Sequence, residues 1–309
     1  MDDKDLYVDN MDITKSKILP RVLDSLKKTN LDNIFKTLDS IKEPTIVTGC
    51  GGSSIVAIFL AKVLSEKNHI IATFKFPRDL KYMDLTGYKN VISVSYSGRN
   101  IGVDASFDNN LNKYLLSGSK RDGINALQYV VDDEEFSFVS MAGTFIPLSI
   151  ILLYYKNDIK LVEEILSSKK DFDIDTKDTY EIMTSEKSVT ACSMLDSTLV
   201  EGGLAAPVIH EKYNYCHGRT MFNYHYHTPL IYFDDNSDLD NLFKNDLFKT
   251  YSKVIVIDKK YNDSIIDDYY QTYISLLLCI EISRKQNKDL SMKDVPPVSD
   301  VIYRYNGKM

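Results

Sequence analysis

The sequence predicts the α/β class, as two doubly wound parallel-sheet units in tandem. Three observations carry this. Short apolar, β-branched runs such as "TIVTG" and "NVISVSYS" lack in/out alternation, as strands buried on both faces do. Helical stretches separate them, as parallel strands require. The pattern lapses over a charged stretch and then restarts, giving two successive units of roughly 110–120 residues.

Residues 1–43 read as an N-terminal helical segment, because Leu19, Val22, Leu23 and Leu26, then Ile34, Leu38 and Ile41, recur at helical spacing. The first α/β unit is expected over 44–156. It opens with the strand "TIVTG", a glycine turn and the helix "SSIVAIFLAKVLSEK". "HIIATFKF", "NVISVSYS", "KYLLSGS" and "FSFVSM" read as further strands, and "TFIPLSIILLYYK" as a closing helix. Residues 157–186 are rich in charge and read as a linker holding one helix. The second unit is expected over 187–309, with "SVTACSM" as a strand and "DSTLVEGGLAAPVIHEK" as a helix N-capped by Asp196 or Ser197. "TPLIYFDD" and "KVIVIDKK" follow as strands, and "DDYYQTYISLLLCIEISRKQ" as a long final helix.

A chain of 309 residues, 44% hydrophobic, is long enough for two cores. Its formal charge of −7 argues against a nucleic-acid or anionic-membrane surface and leaves small molecules and proteins as partners. Cys50, Cys192, Cys216 and Cys279 lie far apart and form no disulfide framework, which points to a reducing compartment. The N-terminus is acidic where a signal peptide would be basic and then apolar. The longest apolar stretch, around "FIPLSIILLYY", falls short of the ~20 residues a membrane span needs. The expectation is a cytoplasmic protein.

In an open parallel sheet, ligands bind beyond the carboxyl ends of the strands. Two such loops here are rich in glycine and hydroxyls. "GCGGSS", Gly49 to Ser54, lies between a strand and a helix, so backbone can approach closely and the helix N-terminus faces an anion. "SYSGRN" supplies donors from Ser95, Ser97 and Asn100, with Gly98 free to take an unusual backbone angle. No lysine follows the glycines as in a nucleotide P-loop, and GxGxxG lacks its third glycine. The pair is read as an anion site suited to phosphate.

These stretches, "TIVTGCGGSS" followed by "SVSYSGRN", resemble the SIS (sugar isomerase) domain, whose pattern is Gly-x-Gly-x-Ser and then Ser-x-Ser-Gly-x-Thr. Among its subgroups they are most similar to the two-domain phosphoglucose/phosphomannose isomerases, and the C-terminal "DVPPVSDVIYRY" also fits double-SIS proteins. The resemblance implies two flavodoxin-like SIS subdomains and a phosphorylated sugar as ligand. Gly51, Gly52, Ser53, Ser54, Ser95, Ser97, Gly98 and Asn100 would then hold the phosphate. Asn100 stands where the pattern has threonine, and Arg99 is a departure that adds a cation. A homodimer is also implied.

The resemblance extends to "EGGLAAPVIHEKYNYCHGR". Glu201 opens an "EGGLA" similar to the family's "EGALK", and His217-Gly218 resembles its His-Gly. Aldose–ketose isomerisation needs a carboxylate to move a proton between C1 and C2, and an acid/base near the ring oxygen. Glu201 or Glu211 is the candidate carboxylate and His217 the candidate acid/base. Asn214 replaces the glutamate that commonly stands three residues before the histidine, and "HGR" replaces His-Asn-Glu. Arg219 offers a fixed charge for phosphate.

His210, His217, His225 and His227, with Cys216, invite a zinc reading, but neither CxxC nor HExxH is present. "YHYH" alternates as a strand would, placing His225 and His227 on one face. No metal and no cofactor are expected. The functional expectation is a sugar-phosphate isomerase acting through a cis-enediol. The alternatives are a non-catalytic sugar-phosphate sensor or a different sugar-phosphate reaction on the same fold.

Overall fold

A computed structural model of the chain describes residues 11–131, 135, 137, 139–291 and 298. The acidic N-terminal stretch and, Val298 apart, the segment "DVPPVSDVIYRY" lie outside the described residues. The chain forms two compact units: residues 11–158 with Leu290 and Ser291, and Ile159–Asp289.

In the first unit the apolar runs become β1 (Thr45–Thr48), β2 (Ala72–Lys75), β3 (Asn90–Val94) and β4 (Asn112–Ser117), joined by β5 (Asn125–Gln128). All pair in parallel, in the order β2-β1-β3-β4-β5. This is the flavodoxin-like winding, in which the chain reverses its direction of travel between β1 and β3. Every residue of β1 and β3 is buried, as unbroken apolar runs demand.

The N-terminal segment forms α1 (Met11–Ser16), α2 (Ile18–Lys28) and α3 (Leu31–Ser40), which bury Ile18, Val22 and Leu26, then Ile34 and Leu38. α4 (Gly52–Asn68) and α6 (Ala142–Lys156) pack together on one face of the sheet. The other face carries α5 (Ile101–Phe107) and a 3₁₀ turn at Pro77–Tyr82, packed around Ile46, Leu80, Val91, Val103 and Leu115. The described residues of "FSFVSM" form no strand. The fifth strand is instead "NALQ", whose short, mixed composition gives no periodic signal.

The second unit begins with α7 (Ile159–Leu166), and its four strands are β6 (Thr179–Thr184), β7 (Ala206–Glu211), β8 (Leu230–Phe233) and β9 (Val254–Ile257). They pair in parallel in the order β7-β6-β8-β9, the same winding one strand shorter. α8 (Val189–Glu201) packs on α12 (Ser264–Lys285), and three short elements, α9 (Lys212–Asn214), α10 (Met221–Tyr226) and α11 (Asp240–Leu242), lie in the connections.

Four expectations are corrected here. "SVTACSM" is helix rather than strand, so Asp196 and Ser197 sit inside α8 and cap nothing. "APVIHE", expected as helix, is β7. β6 lies within the stretch expected to be linker. "YHYH" is no strand: His225 belongs to α10 and His227 is its left-handed C-cap at φ 50°. Among the described residues no helix is long and apolar enough to cross a membrane.

Candidate functional site

The switch point between β1 and β3 places two loops side by side at the carboxyl ends of paired strands. The first loop follows Thr48. Its Gly51 takes φ 54° and N-caps α4 without a side-chain acceptor. The Ser53 and Ser54 amides turn back to the carbonyls of Cys50 and Gly51 at 3.1 and 2.8 Å, and the Ser54 hydroxyl also donates to Gly51 at 2.7 Å. The amides of Gly51 and Gly52 therefore remain at the open head of a 17-residue helix, where the dipole favours negative charge.

The second loop is held by its own hydroxyl. Ser95, 1% exposed, accepts from the Gly98 amide at 3.1 Å and from Asn100 Nδ2 at 3.3 Å. Asn100 Oδ1 accepts from the Val103 amide at 3.0 Å and so N-caps α5. Gly98 takes φ 66°, and a Cβ there would lie 2.9 Å from Ser117 Oγ. Beneath both loops a chain of buried hydroxyls ties the elements: Thr48 to Ser106 at 2.7 Å, and Ser93 to Ser106 at 3.3 Å.

Ser95 and Asn100 thus serve loop geometry, and Ser97, Arg99 and Asn100 are the exposed residues of this loop. Asn100→Ala should cost about 1 kcal/mol of stability through the lost cap, whereas Asn100→Thr should restore most of it; denaturant unfolding of both variants checks this.

Sequence reasoning missed Glu135. Its carboxylate accepts from the amides of Met141, Ala142 and Gly143 at 2.7, 3.1 and 2.7 Å, capping α6. Burial pushes this carboxyl up, against the amides that hold it down. Thr144 of the same helix approaches Gly52, so the capped end of α6 stands next to the first loop. No periodic pattern marks a lone capping carboxylate.

In the second unit the candidates separate. Glu211 ends β7, and its carboxylate accepts from the amides of Tyr213 and Asn214 at 3.1 and 2.8 Å. His217 lies exposed in the turn at Tyr215–Arg219, before Gly218 at φ 96°. Arg219 directs Nη1 at His210 Nδ1, 3.4 Å away. A guanidinium only donates, so Nδ1 is the acceptor and the ring donates through Nε2 to Glu181, 3.0 Å away. Glu181 is fully buried and also accepts from Thr228 at 2.6 Å and Tyr251 at 3.0 Å. This chain anchors β7 and the start of the segment bearing Glu211, His217 and Arg219.

Glu201 does not join them. It is the last residue of α8, which returns from the carboxyl end of β6 to the amino end of β7. Glu201 and Glu211 therefore stand at opposite poles of the sheet, roughly 17 Å apart by strand rise. Partial desolvation raises the Glu201 carboxyl, opposed by the Ser197 hydroxyl donating at 2.8 Å.

At the carboxyl pole the second switch point, between β6 and β8, is filled from within. The Lys212 ammonium is buried there against Asp235 at 2.6 Å and Asp240 at 2.7 Å, and lies 4.6 Å from the centre of the Tyr232 ring. Ser185 donates to Asp235, and Ser237 to Asp240. The two switch points thus differ in chemistry: the first presents hydroxyl and backbone donors, and the second presents carboxylates already matched by a lysine. Among the described residues no three His, Cys, Asp or Glu side chains group as metal ligands.

No family model and no curated protein matches this sequence. Solved structures do. Tagatose-6-phosphate ketose/aldose isomerase from Escherichia coli superposes with a TM-score of 0.68 at 12% identity, over 93% of this chain and 95% of that one. Glucosamine-6-phosphate deaminase from Thermotoga maritima gives 0.64 at 15%, over 91% and 98%. The C-terminal domain of glucosamine-fructose-6-phosphate aminotransferase from Francisella tularensis gives 0.60 at 12%, over 93% and 98%. At such identities the likeness establishes the fold, an α/β architecture shared with phosphosugar isomerase structures.

Proposed function

We propose that the protein binds a phosphorylated sugar, with the phosphate held by the Gly49–Ser54 and Ser95–Asn100 loops, and that it interconverts an aldose and a ketose phosphate. The observation that carries the binding is the pairing of two donor-rich loops on adjacent parallel strands at a switch point, each at the start of a helix. The structural neighbours, whose names include a tagatose-6-phosphate isomerase and a glucosamine-6-phosphate deaminase, support the same ligand class. In this reading Ser97 and the amides of Gly51 and Gly52 donate to phosphate oxygens, and Arg99 adds charge. The homodimer implied by the resemblance belongs to the same proposal.

For the chemistry, Glu211 and His217 are the pair we assign. Glu211 is fixed by two backbone amides at the carboxyl end of β7, and His217 is solvent-accessible in the turn that follows. The carboxylate would shuttle the proton between C1 and C2, and the imidazole would serve the ring oxygen. Glu201, at the far pole, takes no direct part in this assignment.

Thermal-shift titration with hexose, pentose and amino-sugar phosphates tests the binding, and exchange of the C1 or C2 proton with solvent, followed by NMR, tests the chemistry. Ser97→Ala should weaken binding several-fold. Glu211→Gln should stop exchange by at least a hundredfold while leaving binding near wild type, and Glu201→Gln should change neither; loss of exchange in Glu201→Gln alone would reverse the assignment. A second reading, a sugar-phosphate sensor without turnover, is favoured by Asn214, which cannot take a proton where the resembling family commonly has glutamate. Stabilisation without exchange selects it.

A further inference from the structure

The two faces of the first sheet are covered unequally. α4 and α6 run 17 and 15 residues on one face. The other has only the seven-residue α5, the Pro77–Tyr82 turn and a β4-to-β5 crossover, residues 118–124, that contains no helix. Parallel crossovers usually take a dozen or more residues and a helix. The missing cover leaves a cleft of about 840 Å³ along α5, within the range of small-molecule sites. Ile101, Phe107 and Ile124 give it an apolar floor, and Arg78, Lys81, Lys113 and Arg121 supply cations. Asp108 and Asp122 also line it, while Asp104 is paired with Arg121.

Two features distinguish this cleft from ordinary solvated surface. Lys113 alternates with Leu115 onto this face of β4 and is half-buried. Among the described residues its ammonium has no hydrogen-bond or ion-pair partner. A half-buried ammonium gives up hydration that a bound anion would replace. At the rim, the Tyr82 side chain is 83% exposed, with the Lys81 ammonium 5.9 Å from its ring centre. An exposed ring beside cations and an apolar floor suits a flat base carrying phosphate.

We propose that this cleft binds a nucleoside phosphate, its base on Tyr82 and the apolar floor and its phosphates on Lys113 and the neighbouring cations. The site is separate from the two anion loops but shares α5 with them. Around the point where a Cβ on Gly102 would stand, Asn100 Oδ1, Cys50 Sγ and Pro77 Cγ gather at 3.1, 3.2 and 3.4 Å. A ligand lying along α5 therefore rests on the helix that Asn100 caps, and it would act as an effector of the loops.

Calorimetric titration of the full chain with ADP and UDP tests this, with adenosine and inorganic phosphate as half-ligands. The expected result is binding of a nucleoside diphosphate at least tenfold tighter than either half alone. Lys113→Met and Tyr82→Ala should each weaken it about tenfold, the usual worth of a stacked base or a phosphate contact, and Ser97→Ala should leave it unchanged. Absence of nucleotide binding overturns the proposal, as does binding indifferent to Lys113→Met and Tyr82→Ala. Loss of binding in Ser97→Ala would place the nucleotide in the anion loops and overturn it too. The sugar-phosphate reading is tested with sugar phosphates on Ser97→Ala, so either can fail alone.

Discussion

Gly49→Ala is expected to weaken sugar-phosphate binding more than tenfold and to lower the melting temperature of the first unit by roughly 6–12 °C. A Cβ at this position would stand 2.3 Å from the Ser53 carbonyl oxygen and 2.6 Å from its carbon. Both are backbone atoms of the first turn of α4, so the turn itself must shift and carry the Gly51 and Gly52 amides with it. Overpacking of this kind costs about 3 kcal/mol, and in a unit of this size each kilocalorie moves the melting point by about 2–4 °C. Gly52→Ala is the contrast: its Cβ meets the Thr144 hydroxyl at 3.0 Å, the tip of a side chain that can rotate. Its effect should be several-fold smaller on both readouts. Equal melting curves and equal titrations for Gly49→Ala and wild type would remove the loop from the proposed site.

The second large effect is expected from Lys212→Met, which should destabilise the second unit by about 3–5 kcal/mol at neutral pH. The substitution keeps the stem and removes the charge, leaving Asp235 and Asp240 buried without a counter-ion. Burial works to raise the Asp240 carboxyl, but hydrogen bonds from Lys212, Tyr232 and Ser237 hold it well below the ordinary carboxylate range. A carboxyl depressed in the folded state contributes stability that is present above its unfolded value, near pH 4, and is lost as pH falls through the folded value. Without Lys212 that contribution disappears or reverses. The deficit of the variant should therefore be largest near pH 7 and shrink as the carboxylates protonate toward pH 4. Denaturant unfolding at several pH values measures it, and a deficit independent of pH would mean that lost packing, not charge, is the cause.

Much of the first unit was legible because its chemistry is simple. β1 and β3 are unbroken apolar runs, and the loops after them announce themselves by glycine and serine in "GCGGSS" and "SYSGRN". The second unit hides its centre. β6, "TYEIMT", carries Glu181 at a fully buried position, where a charge reads as surface until its partners His210, Thr228 and Tyr251 are in place. With β6 unseen, "SVTACSM" was the nearest β-branched run, and the opening elements of the unit slipped by one, whereas "TPLIYFDD", "KVIVIDKK" and the final helix stand where expected as β8, β9 and α12. The same slip put Glu201 within an expected helix running on to Lys212, whereas it ends α8 at the opposite pole. Buried polar chains of this sort have no sequence period, so only tertiary contact reveals them.

The chain enters the second unit at Ile159 and comes back at Leu290, whose carbonyl accepts the Val139 amide at 3.2 Å. The second unit is thus an insertion, and the first is interrupted rather than finished when synthesis passes residue 158. Topology alone then couples their fates. A folded insertion fixes the separation of its own two ends, but an unfolded one is a flexible loop of about 130 residues, whose closure costs on the order of 4 kcal/mol. Melting the insertion would loosen the return of Leu290 to Val139 through chain entropy. During translation, the last part of the first unit to arrive must wait for the entire insertion to leave the ribosome.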